Sequence, residues 1–330
     1  MVISPVRQHS PFSLVIIPVL AIVLWIPSFI NPLPPIEQVE MPVYAFLDLF
    51  FRSAPYVALA IGLLLLLTEA FLLNFILQQH QVVVKKNWLP ALFVVVFGSC
   101  SPGLLWPQAE QFAGILILLV LHILLGTYRQ DKSFAAMFNS GLLIGLAAQF
   151  YLPSLVFFLF GIFTIIIIRP FIWREWVMLI LGILLPFIYG GVYYYWNDNY
   201  AEVTQQIIVE PIANRSFFLK LDSSDYFLAG MTVLVLLVST GRLMAGSLTS
   251  TLKTKKGISV FMWFTLFALI AILPAQNFGV GTFRFIIYPF AFFASNYFLN
   301  ARRLWIAEII FTLLVAGIAV SYLIESGFSI

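Results

Sequence analysis

The sequence predicts an all-α, polytopic integral membrane protein of about eleven spans, with its N-terminus in the cytoplasm and its C-terminus outside. Three observations carry this reading. Apolar residues make up 62% of the chain and charged residues only 9%, and the mean hydropathy is +1.02. A soluble domain carries about 25% charged residues, so this chain takes lipid as its solvent. Apolar runs of spanning length recur along the chain, and basic residues gather in every second connection between them.

The first run, 12–30, has no small-residue cleavage site after it and reads as a retained span. The second, 55–77, follows a proline-rich loop at 31–54. The third and fourth, 88–106 and 111–128, are bridged by "SCSPGLLWPQAEQ". The fifth and sixth, 137–151 and 153–169, are divided at Leu152-Pro153, where proline removes a backbone donor and disfavours helix at the residue before it. The fifth is short, a half-helix or a tightly packed one. Its Gly141-x-x-x-Gly145 is a small-residue pattern that lets helices approach closely. The remaining spans are 176–196, 226–242, 259–275, 281–299 and 303–323. No loop is long enough to fold alone, so residues 1–330 read as one transmembrane domain.

Charge placement tests the count. With the N-terminus inside, the inner connections hold Arg7, Lys85, Lys86, Arg129, Lys132, Arg169, Arg174, Arg242, Lys253, Lys255, Lys256, Arg302 and Arg303. The outer side keeps Arg52, Arg215, Lys220 and Arg284. That is the bias of the positive-inside rule, and merging the fifth and sixth spans would break it. The basic inner loop 243–257 reads as a site of attraction to anionic lipid, with no nucleic-acid partner. The outer loops 31–54 and 197–225 carry most of the acids, Glu110 joins them on the outer side, and both loops contain apolar stretches suited to the interface. Chemistry is therefore expected on the outer face.

The candidate residues follow from that placement. Glu37 and Glu40, three apart, would supply a carboxylate to deprotonate a hydroxyl or to hold a divalent cation; the alternative is a pair of solvated loop acids. Asp48, in "AFLDLFF", is either an interfacial residue or an acid turned toward a cavity. Arg284 suits phosphate oxygens, with Arg215 and Lys220 as weaker candidates; the alternative for Arg284 is a side chain snorkelling to headgroups. Glu69 lies well inside a span, where an ionisable group is costly, and is expected to be paired with a group such as His122 or to serve a proton relay. Trp173-Arg174-Glu175-Trp176 reads as an interfacial anchor. The single Cys100 excludes an intrachain disulfide framework, and no His/Cys cluster has zinc spacing.

Two resemblances add to this. "PLPPIEQVEMPVYAFLDLFF", "SCSPGLLWPQAEQ" and "NSGLLIGLAAQFYLPSLVFFLFGIF" in this order resemble the polytopic half of the C-type glycosyltransferase superfamily, over roughly residues 30–195. That likeness implies a polyprenyl-phosphate sugar donor and a helix between the first outer acids and the second span. In those enzymes an acidic pair often opens the first outer loop; here only Glu37-x-x-Glu40 and Asp48 stand there, in a shortened loop. Arg169, Trp173-Arg174-Glu175-Trp176 and "LILGILLPF" at 179–187 resemble more closely an integral membrane protein family of Bacteroidota, which implies an inner-membrane location and no particular activity. A four-histidine iron site is excluded by count, since the histidines are His9, His80 and His122. The expectation is a glycosyltransferase-like enzyme at the outer face. A non-catalytic envelope subunit is the alternative, and a transporter comes third because no interrupted span recurs in the two halves.

Overall fold

A computed structural model describes residues 6–7, 12–32, 41–83, 85–130, 133–198, 251–274, 280–300 and 304–325. Among them every regular element is helical. The α-helices are α1 (Ser13–Ile30), α2 (Pro42–Ser53), α3 (Pro55–Gln79), α4 (Leu89–Gly98), α5 (Ala109–Gly126), α6 (Phe134–Phe150), α7 (Phe157–Ile168), α8 (Trp173–Trp196), α9 (Leu252–Ile270), α10 (Arg284–Leu299) and α11 (Leu304–Glu325). Four of them, α1, α3, α5 and α8, are long and apolar enough to cross a membrane.

The helices alternate in direction, as the contacts between them show. Near their starts Gln111 of α5 donates to the Gly62 carbonyl of α3 at 2.9 Å, and near their ends His122 meets His80, so α3 and α5 run parallel. Leu66 of α3 lies against Gly98, and Phe71 against Trp88, so α4 runs back along α3. Gly141, Gly145 and Gln149 of α6 advance in step with Leu179, Ile183 and Gly190 of α8. These two helices are therefore parallel, and α7 between them returns. Phe157 stacks near Phe264 while Ile168 accepts from Lys256, which makes α9 antiparallel to α7. Phe261 on Phe292 and Phe264 on Tyr288 make α10 antiparallel to α9. Thus α3, α5, α7 and α10 run one way, and α4, α6, α8, α9 and α11 the other. The break at Leu152-Pro153 is a 3-10 turn over Leu152–Val156 leading into α7. Because α8 and α9 run the same way, α8 ends and α9 begins at opposite ends of the bundle; the apolar run 226–242 between them lies outside the described residues.

One expected span needs correction. The third, 88–106, is only the ten-residue α4, followed by a bend and a 3-10 turn at Pro102–Leu104. All ten residues of α4 are buried. A helix walled by protein on every side need not match the bilayer, and an apolar run of this length is the mark of an interior helix. Its end is fixed by Ser99, whose hydroxyl accepts from Trp25 Nε1 at 3.1 Å and whose carbonyl accepts from Tyr322 at 2.6 Å.

The described basic residues Lys85, Lys86, Arg129, Arg169, Arg174, Lys253, Lys255 and Lys256 collect at the end where α3, α5 and α7 finish and α4, α6, α8 and α9 begin. That cluster is hereafter the basic end. Arg169, expected only as an orienting charge, is buried there. It donates to Glu175 Oε1 at 2.8 Å and to the Thr127 carbonyl at 3.1 Å, and Ser133 N–H donates to the same carboxylate at 3.2 Å. Glu175 of the expected interfacial anchor is thus an interior residue that ties α6, α7 and α8 together, with 0% of its surface exposed.

The tightest helix pair is α6 with α8. Lipid supplies no hydrophobic drive between helices, so close backbone packing is what holds them. A Cβ on Gly141 would sit 2.1 Å from the Leu179 carbonyl oxygen, and one on Gly182 would sit 2.2 Å from that of Phe138. Both contacts are with backbone, which cannot step aside. Gly182→Ala is therefore expected to lower the melting temperature in detergent by the equivalent of about 1–3 kcal/mol, the usual scale of overpacking. Gly191→Ala, where nothing lies within 4 Å, is the matched control and is expected to leave melting unchanged or slightly raised. Equal melting of the two variants would remove close packing as the basis of the pair.

Candidate functional site

At the opposite end from the lysines, three helices close on one carboxylate. Glu69 stands in the middle of α3, on the face that also buries Leu66, Ala70 and Leu73. Arg284 and Tyr288 are one turn apart on α10 and so share a face. Arg284 Nη2 donates to Glu69 Oε2 at 2.9 Å, and the Tyr288 hydroxyl donates to Oε1 at 3.0 Å. The Arg284 and Glu69 side chains are each 1% exposed. Gly114 of α5 makes this approach physically possible: a Cβ there would lie 1.9 Å from the Tyr288 hydroxyl and 3.2 Å from Glu69 Oε1.

The cluster is not closed on itself. Arg284 Nε and Nη1 are buried and have no protein partner. Glu110, in the first turn of α5, is buried as well, and Arg284 feels its charge. Beside it Gln111 gives its amide N–H to Gly62 and keeps a buried Oε1 without a donor. Two acids and one arginine, with spare donors and acceptors around them, make a polar centre within an apolar bundle. Buried polar groups of this kind are rare unless something uses them.

Helix α2 brings a third acid toward this region. Its Tyr44, Asp48 and Phe51 face the protein, while Phe46 is 76% and Leu49 72% exposed. This reverses a water-facing amphipathic helix: the apolar side is outward and the lone acid is inward. Tyr44 donates to the Pro107 carbonyl, and Tyr44 and Phe51 pack on Phe112, so α2 rests on the start of α5 around Glu110. Asp48 Oδ2 accepts from Arg52 at 2.5 Å, and Oδ1 is buried with no partner.

Set against the expectations from sequence, the structure joins some residues and separates others. Asp48 is turned inward. Arg284 is an interior residue at the first turn of α10, neither a surface cation nor a snorkelling one, because Glu69 holds it. Glu69 pairs with Arg284 and Tyr288 and not with His122. His122 instead meets His80, with Nδ1 and Nε2 3.1 Å apart, toward the basic end. Glu110 is not an exposed loop acid; it lies in α5 and is 7% exposed. Glu37, Glu40, Arg215 and Lys220 lie outside the described residues. Among the described residues no group of three or more His, Cys, Asp or Glu could hold a metal ion. Tyr288 and Gly114 were missed. The i, i+4 spacing of Arg284 and Tyr288 on an otherwise apolar helix was the available signal.

No family model, curated protein or solved structure matches this chain. The site therefore has to be judged on its own chemistry.

Removing one partner of a buried pair leaves an uncompensated charge and costs about 3–5 kcal/mol, whereas replacing both with apolar groups is often neutral. Glu69→Leu and Arg284→Met are each expected to lower unfolding stability in detergent by that order, and the double variant to recover most of it. A double variant as unstable as the sum of the singles would show that the pair does not act as a unit.

His80, one residue past the end of α3, has its pKa lowered from 6.5 to about 4 by burial first, and then by repulsion from His122 and Lys253. The folded state therefore resists a proton that the unfolded chain accepts. Stability is full above about pH 6.5 and falls as pH drops toward about 4. Melting temperature is expected to fall between about pH 7.5 and about pH 5, and His80→Gln to flatten that slope. An unchanged slope in the variant would assign the acid sensitivity elsewhere.

Proposed function

We propose that this multi-pass membrane protein is a C-type glycosyltransferase-like enzyme of the bacterial cytoplasmic membrane. In this reading it acts on polyprenyl-phosphate-linked sugars at the outer face, with the basic end in the cytoplasm and eleven spans in all. The observation that carries the reading is the inward carboxylate of Asp48 on a helix whose outward side is apolar. Such a helix lies against lipid and holds an acid toward the protein, in the position that the likeness to C-type enzymes assigns to a helix before the second span. The gathering of basic residues at the other end supports the orientation.

In the proposed reaction the hydroxyl oxygen of an acceptor attacks the anomeric carbon of the donor. The bond from that carbon to the lipid phosphate oxygen breaks, and the phosphate leaves with the electron pair. A carboxylate, Asp48 or one of Glu37 and Glu40, takes the hydroxyl proton. Arg284, with Nε and Nη1 uncommitted, receives the developing phosphate charge. Arg215 and Lys220 would assist it.

A second reading, a non-catalytic subunit of an envelope assembly, is favoured by one observation: Glu69 and Arg284 already neutralise each other in a pair that solvent does not reach. Binding separates the two. The wild-type protein in lipid nanodiscs is expected to bind undecaprenyl phosphate at least about tenfold more tightly than phosphatidylglycerol, a difference of about 1.4 kcal/mol. The Glu69→Leu/Arg284→Met double variant is expected to lose that preference while staying folded. Asp48→Asn should keep binding, and loses sugar transfer where Asp48 rather than Glu37 or Glu40 is the base. A wild type with no preference between the two lipids would overturn the enzyme reading and leave the subunit.

A further inference from the structure

The basic end contains a second site that the proposed reaction does not use. A small recess there is lined by His80, Leu125, Tyr128, Ile168, Lys253, Lys256 and Gly257. Its floor is formed where α9 comes close to the turn after α3. Thr254 donates its hydroxyl proton to the Gln81 carbonyl at 3.0 Å, and a Cβ on Gly257 would lie 2.9 Å from a Val82 methyl. The recess is thus fixed by packing on both sides.

Among the described residues its lining carries positive charge only. Lys253, Lys255 and Lys256 fall within the first five residues of α9, and that first turn holds no acid. Cations at a helix N-terminus oppose the helix dipole, so positive potential gathers there, although the Thr251 hydroxyl already caps the Thr254 N–H. Among the described residues neither Lys253 nor Lys256 is in an ion pair. Glu175, the acid in the first turn of α8 at this end, is already taken by Arg169. Lys256 is also held in place: its Nζ donates to the Ile168 carbonyl at 3.2 Å and stands 5.5 Å from the centre of the Tyr128 ring. Arg129 lies 5.4 Å from the same ring. Two half-buried ammonium groups at the start of a helix, one of them held in place and both without a counter-ion among the described residues, suit an anion. Leu125 and Ile168 beside them suit the apolar part of a lipid.

We infer that this recess binds a phosphate group, through the ammonium groups of Lys253 and Lys256. The phosphate belongs either to the headgroup of an anionic membrane lipid or to a small soluble phosphate, and both sources share this chemistry. Lys253 and Lys256 face the anion, Tyr128 orients Lys256, and His80 walls the recess as a neutral group. The site is independent of the polar centre around Glu69, so it stands or falls separately from the enzyme reading.

The test is native mass spectrometry of the full chain released from nanodiscs that contain equal phosphatidylglycerol and phosphatidylcholine. The wild type is expected to retain one phosphatidylglycerol at roughly tenfold higher occupancy than phosphatidylcholine, the span of one fairly weak charge-assisted contact. Lys253→Gln/Lys256→Gln is expected to abolish that excess. Lys85→Gln/Lys86→Gln, which removes two exposed cations from the same end, is expected to preserve it. If millimolar inorganic phosphate displaces the lipid in the wild type, the recess takes soluble phosphate as well. If it does not, the lipid headgroup is the ligand. The inference is overturned if the Lys85/Lys86 variant loses the excess as fully as the Lys253/Lys256 variant, because the attraction is then diffuse. It is equally overturned if the wild type shows no excess and inorganic phosphate leaves its melting temperature unchanged.

Discussion

The contact between Glu69 and Arg284 constrains more of this molecule than any other. At about 3 Å and an effective dielectric near 20, two unit charges attract by roughly 5–6 kcal/mol. Removing both from water costs several kcal/mol per ion, so the net contribution to stability is small. What the pair does impose is position. Glu69 fixes the rotation of α3, Arg284 and Tyr288 fix the start of α10, and Gly114 fixes how near α5 must come. A shift of one residue in any of the three helices would bury an unpaired charge. The packing of α4 between α3 and α10 follows from that register, with Phe93 on Phe298 and Phe97 near Phe290.

A different device holds the other half of the bundle. Between α6 and α8 no charge is shared along the seam; glycines let the two backbones touch. Such a seam is strong in lipid because dispersion grows with proximity and no side-chain entropy is lost. It sets register by where the glycines fall, since a slip would drive a side chain into the facing backbone. The Arg169–Glu175 pair at the basic end adds a second specification, since it pins the start of α8 to the end of α7 and to Ser133 before α6. Each half thus combines close glycine packing with one buried ion pair.

The architecture was legible in the sequence wherever lipid imposed a rule on a single segment. Span length and the sidedness of basic residues gave the alternation of α3 through α8, and Leu152-Pro153 gave the turn before α7. They failed at α4, because a helix buried on every side obeys no bilayer length, and the sequence does not say which neighbours surround it. The site was less legible for a related reason. Glu69 and Arg284 are 215 residues apart, and nothing local announces which buried acid meets which buried arginine. Arg284 near the outer end of its span suggested a phosphate ligand or a side chain snorkelling to headgroups, whereas a 3-10 turn over Val280–Phe283 leads into α10 and sets it in the interior. Asp48 could have been placed from Tyr44, Asp48 and Phe51 at helical spacing, had the apolar residues between them been read as facing lipid.

The proposed chemistry sets a condition on how that centre must work. Around Arg284 stand Glu69 and Glu110, and Asp48 faces the same helix α5, so the end that would receive a lipid phosphate is locally acidic. A phosphate approaching it is repelled until it reaches a donor. Arg284 offers spare ones there, and one side of its guanidinium is already given to Glu69. A phosphate that engages Nε and Nη1 therefore competes with Glu69 for the same charge, and the better the phosphate binds, the weaker the link between α3 and α10 becomes. Because that link sets the register of both helices, binding and loosening of the centre are coupled by linkage rather than by any added device. The Tyr288 hydroxyl tempers the cost, since it continues to donate to Glu69 when the arginine turns away. Substrate entry and opening of the polar centre are, on this argument, one event.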